Sequence, residues 1–272
     1  MMRRLLLRGM LAGLLAGVVG FTIGHFIGEP AVNRAIAYES SVETHAEESP
    51  HHDATSDEPV SRDIQSTAGL GLGTILYGLA LGGIFSIVFS IACGRIGLLT
   101  ARGTSAVLGG AAFVAIYLVP VLKYPANPPA IGSADTITRR STLYVVMILV
   151  SVFFMLGAFM ARRSLVARLG SWNASIVAGV GYLAAVVLAY VVLPGINEVP
   201  QQAIAGVVSQ VAHATVTFPP TVLWQFRMSG LAIQAAMWLT IALGFGFLAE
   251  RLFAAQSRAD AAFVRDGVSV GR

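Results

Sequence analysis

Six long apolar runs constrain this 272-residue chain more than any other feature. They lie at 5–27, 68–93, 104–122, 143–161, 174–194 and 229–249, and together take up about half of the sequence. Each approaches or exceeds the ~20 residues that a helix needs to cross about 30 Å of hydrocarbon. The runs therefore predict an all-α membrane protein: a bundle of six transmembrane helices forming one polytopic membrane domain over 1–272.

Composition narrows the chemistry. Only 12% of residues are charged, about half the share of a soluble domain. The net charge of +4 is spread over the loops and is no nucleic-acid signature. Lys123 is the only lysine among 18 basic residues. A Walker A loop needs GxxxxGK[ST], and nothing around Lys123 resembles one, so ATP hydrolysis by that route is excluded. The single cysteine, Cys93, excludes an internal disulfide, a cysteine-based zinc cluster and CxxC redox chemistry. No base–nucleophile pair or cofactor motif occurs, so neither catalysis nor a resident cofactor is expected. The first run follows a basic segment (Arg3, Arg4, Arg8) and precedes Ala35-Ile36-Ala37, which mimics a cleavage site. Its length exceeds that of a signal peptide's apolar core, so it is expected to stay.

The loops alternate in basic content. Twelve arginines fall on one side: Arg3, Arg4, Arg8, Arg95, Arg102, Arg162, Arg163, Arg168, Arg251, Arg258, Arg265 and Arg272. The other side carries Arg34, Arg62, Lys123, Arg139, Arg140 and Arg227. The positive-inside rule puts both termini, and the tail at 250–272, in the cytoplasm. The largest outer segment, 28–67, is acidic and holds His45, His51 and His52. Pro30 suits a helix start, and Ala31, Val32, Ala35 and Ile36 recur at helical spacing. The segment thus predicts a small helical extracytoplasmic element. A second helix is expected to run unbroken from Pro59 to Cys93, about 52 Å. Prolines are expected to stop the odd-numbered helices at Gly28-Glu29-Pro30, at Pro120 and at Pro194.

Several motifs bear on function. Gly9, Gly13 and Gly17, then Gly20, Gly24 and Gly28, form successive GxxxG steps that let another helix approach closely. His25 and Glu29 are four apart on one face beside that stripe, an ionisable pair at the end of a membrane helix. From His45 to Glu58 the chain offers three imidazoles and five carboxylates. Imidazole suits Co²⁺, Ni²⁺ and Zn²⁺; a flexible metal-capture segment and a solvated linker both fit. Met147, Met155, Met160, Met228 and Met237 do not share a stripe and read as packing. Gly267-Val268-Ser269-Val270-Gly271 matches a nucleophile elbow but lacks the strand and helix that one requires. Within the runs the polar groups are hydroxyls and amides such as Ser86, Ser90, Ser151, Thr240 and Gln234, with no carboxylate to mark an ion site.

The chain resembles the CbtA family of bacterial cobalt transporter subunits. The resemblance is carried by Met2-Arg3-Arg4-Leu5-Leu6, Gly28-Glu29-Pro30, the stretch from Tyr117 through Lys123-Tyr124-Pro125-Ala126-Asn127-Pro128-Pro129 to Gly132, Trp172-Asn173-Ala174, Asn197-Glu198-Val199-Pro200 and Leu223-Trp224-Gln225-Phe226-Arg227. It implies a multi-pass protein of the inner membrane that handles Co²⁺ beside a small histidine-bearing membrane subunit of the CbtB kind. It also suggests five membrane helices, the count here if the first is peripheral or removed. The expected metal-handling residues are His25, Glu29, Asn127, Asn197 and Glu198 at the outer helix ends, fed by His45, His51 and His52. The competing reading is that the carboxylates and amides cap helices and tie loops. A non-transporting accessory or scaffold subunit is the alternative function. The expected partners are the lipid bilayer, the CbtB-like subunit and further copies of the chain. Cysteine reporters at Ser49, Ser133 and Gln201 are expected to be labelled from outside, and labelling of any one only from the cytoplasm overturns the topology.

Overall fold

The computed structural model describes residues 2–46, 61–97, 99–129, 131, 134–196 and 218–269. They are helical almost throughout, and no strand occurs among them. The first rod joins α1 (Met2–Ile23) through a π-helical turn (Gly24–Gly28) to α2 (Glu29–Ala46). The second joins α3 (Arg62–Ile64) through a π turn (Gln65–Gly69) to α4 (Leu70–Ala92). The third joins α5 (Ala101–Ala112) through a π stretch (Phe113–Leu118) to α6 (Val119–Lys123). Two long helices follow, α7 (Ala134–Val192) and α8 (Pro220–Ser269).

By length and apolar composition, five helices among the described residues qualify to cross a membrane: Met2–Ser40, Arg62–Ala92, Ala101–Lys123, Thr136–Val192 and Pro220–Arg258. The runs 143–161 and 174–194 both fall in the fourth, which has 57 residues. That helix is interrupted at Gly170, whose φ of 75° lies in the left-handed region, where a side chain is strained and glycine is not. The chain folds back there. The hydroxyls of Ser151 and Tyr182 are 2.8 Å apart, and Arg162 donates to Ser171 and Ser175 across the turn. Residues 31 apart on a straight helix would be separated by about 46 Å.

Two prolines do not act as the sequence suggested. Pro30 and Pro120 lie inside continuous helices rather than ending them. Each follows a π-helical segment closely, at Gly24–Gly28 and Phe113–Leu118. A proline ring clashes with the carbonyl four residues back and leaves it without its donor. A wider turn at that point opens the ladder and lets the helix continue. Pro194 does follow a helix end, at Val192. The last helix runs through Gly267 to Ser269. The helix expected from Pro59 is described from Arg62 onward.

The chain divides into two compact units. The first comprises Met1–Gly20, Gly73–Ala111 and Ala236–Arg272. In it α1 and α4 meet backbone to backbone, with Gly9 at Gly82, Gly13 at Gly78 and Gly17 at Ile75. A Cβ on Gly17 would lie 2.6 Å from the Ile75 Cα. Gly109 takes the Ala242 methyl of α8 into the space its own Cβ would fill, and the Ser105 hydroxyl donates to the Ala242 carbonyl at 2.6 Å. Phe245 packs edge-on against Phe85 and Phe89. Arg102 pairs with Glu250, and both Arg102 and Arg251 sit over the Phe247 ring.

The second unit comprises Phe21–Leu72 and Ala112–Ala235. One core gathers Val119, Tyr124, Met147, Tyr182, Val186 and Ala189 between α6 and the two arms of α7. A smaller one sets Ala35 of α2 against Ile131, Phe218 and Val222, with Tyr38 edge-on to Phe218.

Gly13→Leu drives a side chain into the Gly78 carbonyl. It is expected to cost at least the ~1–3 kcal/mol of core overpacking, read as a fall in detergent thermal unfolding temperature. Gly110→Ala, where a Cβ would meet nothing within 4 Å among the described residues, is expected to leave that temperature unchanged or slightly raised.

Candidate functional site

Within the second unit a cavity of about 450 Å³ opens beside the α1–α2 junction. Its walls are mainly apolar, from Leu70, Tyr117, Leu118, Val121, Phe226 and Ile233 among others. Gly24 and Gly28 form part of the wall, and their missing side chains help to leave the space open. Glu29 and Arg227 are the two charged residues in the lining.

The π turn sets the position of Glu29. Its backbone N–H bonds to the Gly24 carbonyl five residues back, at the first residue of α2. The carboxylate forms an ion pair with Arg62 of α3. The Glu29 side chain is 13% exposed and that of Arg62 35%, so the carboxylate is the more deeply placed partner. Arg62 Nη2 also donates to Asn33 Oδ1 at 3.2 Å, while its buried Nε has no partner among the described residues.

His25 points to the same neighbouring rod. Its ring stacks on Phe21, and Nδ1 lies 3.2 Å from the Ser66 carbonyl in the second π turn. With its proton on Nδ1 it donates there and leaves Nε2 as an acceptor. Asn127 lies in the segment after α6, where its Oδ1 accepts from Arg227 Nη2 at 3.2 Å. Arg227 Nε donates to the Ala126 carbonyl at 3.3 Å. Lys123 Nζ donates to the Tyr190 carbonyl at 2.7 Å and stands 5.9 Å from the rings of Tyr124 and Tyr190. The Tyr124 hydroxyl donates to the Pro194 carbonyl at 2.8 Å. Burial pushes the Tyr124 phenol up, against a weaker downward pull from Arg139, so it serves as a neutral donor.

Of the residues expected at the outer helix ends, Glu29 reaches the cavity wall and Asn127 is joined to it through Arg227. His25 lies outside the lining, against the Arg62–Ala92 rod. His45 belongs to α2, 16 residues beyond Glu29, or about 24 Å along the helix. His51, His52, Asn197 and Glu198 lie outside the described residues. No group of three or more His, Cys, Asp or Glu side chains able to hold a metal occurs among the described residues. Arg62 and Arg227, the partners of Glu29 and Asn127, stand in the sequence as loop charges, Arg227 also closing the Leu223-Trp224-Gln225-Phe226-Arg227 motif. Their signal was position: both are basic residues on the side that the positive-inside rule keeps poor in them.

The family described as probable cobalt transporter subunit (CbtA) matches the chain over residues 2–250. No curated protein and no solved structure matches it.

Arg227→Lys keeps the charge and loses the fork that spans Ala126 and Asn127. It is expected to cost about 1–2 kcal/mol in thermal unfolding and to speed hydrogen exchange in the segment after α6. Unchanged exchange there would show that the fork does not hold the segment.

Proposed function

The chain belongs to the CbtA family, and from that premise we propose that it is the membrane subunit of a cobalt transporter that collects Co²⁺ at the extracytoplasmic face and passes it across the bacterial inner membrane. Transporter subunits are not an enzyme class, and no residue is assigned to catalysis. A subunit works in a complex, and a small histidine-bearing membrane protein of the CbtB kind and further copies of the chain are the partners we propose.

The observation that carries the reading is the carboxylate of Glu29 in the wall of a cavity beside helices long and apolar enough to span a membrane. Oxygen and imidazole ligands suit a divalent first-row metal. In this reading Glu29 and Asn127 stand at the mouth with His25, Asn197 and Glu198. His45, His51 and His52 supply ions to it from a segment whose carboxylates raise the local cation concentration. The two arms of α7 on either side of Gly170 each cross the membrane, giving six spans with both termini cytoplasmic. The left-handed turn at Gly170 and the cross-turn bonds support that count, as does the basic content of the loops.

A second reading, an accessory subunit that does not itself carry the ion, draws on the pairing of Glu29 with Arg62 and of Asn127 with Arg227. Groups so held serve as ties between helices. The two readings part on a double variant. Glu29→Gln is expected to lower cobalt accumulation about tenfold or more, a loss of at least ~1.4 kcal/mol at the site, at unchanged membrane abundance. Adding Arg62→Gln restores a neutral pair and should restore transport only if Glu29 is a tie. Replacing His45, His51 and His52 together by Ala is expected to weaken accumulation at low external cobalt and leave it unaltered at high cobalt.

A further inference from the structure

We propose that Arg62 is a tethered competitor for the cation at Glu29: its guanidinium occupies the carboxylate until a divalent ion displaces it. The inference rests on the reading of Glu29 as a ligand for the transported ion.

Three features make this pair suited to exchange rather than to permanent fastening. The first is asymmetry of burial. Glu29 is 13% exposed in the cavity wall and Arg62 is 35% exposed, so the guanidinium can swing to water while the carboxylate stays. The second is the placement of Arg62 on its own helix. It is the first residue of α3, and Ser61 before it makes no side-chain cap bond. A cation at the N-terminus of a helix sits against the positive end of the macrodipole. Docking on Glu29 also leaves Arg62 Nε buried without a partner among the described residues, a further cost of the docked state. The third is the segment that carries it. α3 is one short turn followed directly by the π turn Gln65–Gly69, and π turns are a looser ladder than α-helix. His25 holds the Ser66 carbonyl of that turn, and the Ser66 and Thr67 hydroxyls hold the Asp63 carbonyl, so the part left to move is the Arg62 side chain at the head of the helix.

Charge gives the direction of the exchange. With Arg62 docked, the Glu29 carboxylate is neutralised and Arg227 leaves the lining net positive, which repels a divalent cation. A divalent ion at the carboxylate gains twice the Coulomb energy per unit distance that a guanidinium does. Arg62 thus sets a threshold: weak or monovalent cations fail to displace it. Asn33 Oδ1, which accepts from the same Nη2, is the second hold.

The test uses the full chain in lipid nanodiscs, with Co²⁺ alone as titrant in calorimetry. Arg62→Gln is expected to bind Co²⁺ about tenfold more tightly than wild type, and Asn33→Ala about two- to threefold more tightly. Arg62→Lys keeps a competing charge and should stay within about threefold of wild type. Glu29→Gln should show no binding at this site. A second readout needs no variant: saturating Co²⁺ should speed hydrogen exchange at the amide of Gln65, which bonds the Ser61 carbonyl, about threefold or more, as α3 loses its tether. Equal or weaker binding in Arg62→Gln overturns the competitor, while loss of binding in Glu29→Gln would still leave Glu29 as a ligand. Undiminished binding in Glu29→Gln removes the ligand reading itself. If Arg62→Gln does not reach the membrane, exchange in wild type decides, and no Co²⁺-dependent change there overturns the competitor.

Discussion

Hydrocarbon offers a backbone no water, so each carbonyl left without its helical partner costs several kcal/mol unless something else meets it. Much of the second unit is arranged around that demand. Prolines, π turns and helix ends free carbonyls there, and long polar side chains from other helices reach them. Tyr190 meets the Val119 carbonyl and Lys123 meets that of Tyr190. Tyr124 meets Pro194, Arg227 meets Ala126, and His25 meets Ser66. These bonds join helices that are distant in sequence, and they leave the acceptors less available as ligands for an ion. The Glu29 carboxylate is met instead by a charged side chain, that of Arg62.

How much of this the sequence discloses depends on the physics of each feature. Apolar run length reports membrane helices directly, because the bilayer fixes the number of residues needed. The GxxxG steps announce a close approach, though not its partner: Gly13 needed Gly78, which sits in a run with glycines of its own. Proline misled at Pro30 and Pro120, since a π turn that absorbs the ring has no residue signature. The pairs Glu29–Arg62 and Asn127–Arg227 were illegible for another reason. Each joins residues 33 or 100 positions apart, and one-dimensional spacing carries no information about such contacts. In the sequence their arginines register as orientation signals instead.

The preference for arginine over lysine, 17 to one, suits these demands. A guanidinium presents several donors in a plane and loses less hydration than an ammonium. Arg227 uses that geometry to span a carbonyl and an amide, and Arg62 to span a carboxylate and an amide. The one lysine is placed where a compact charge fits between two tyrosine rings and a single carbonyl. Family membership and these contacts meet at the same stretch: the Lys-Tyr-Pro-Ala-Asn-Pro-Pro block holds Lys123, Tyr124, Ala126 and Asn127, four of the groups that do the joining.

The turn at Gly170 has a consequence beyond local packing. It is a left-handed residue inside the 59-residue α7, and among the described residues nothing beyond its own stretch of chain lies within 4 Å of where its Cβ would be. The bonds of Arg162 to Ser171 and Ser175 and of Ser151 to Tyr182 hold the two arms once they have turned; the turn itself is made at one left-handed dihedral. On the six-span reading, a straight α7 would thread once where it now threads twice. Every segment after it, including the whole of α8, would then emerge in the opposite compartment. The parity of the crossings, a global property of the chain, is thereby entrusted to the one amino acid with no handedness of its own.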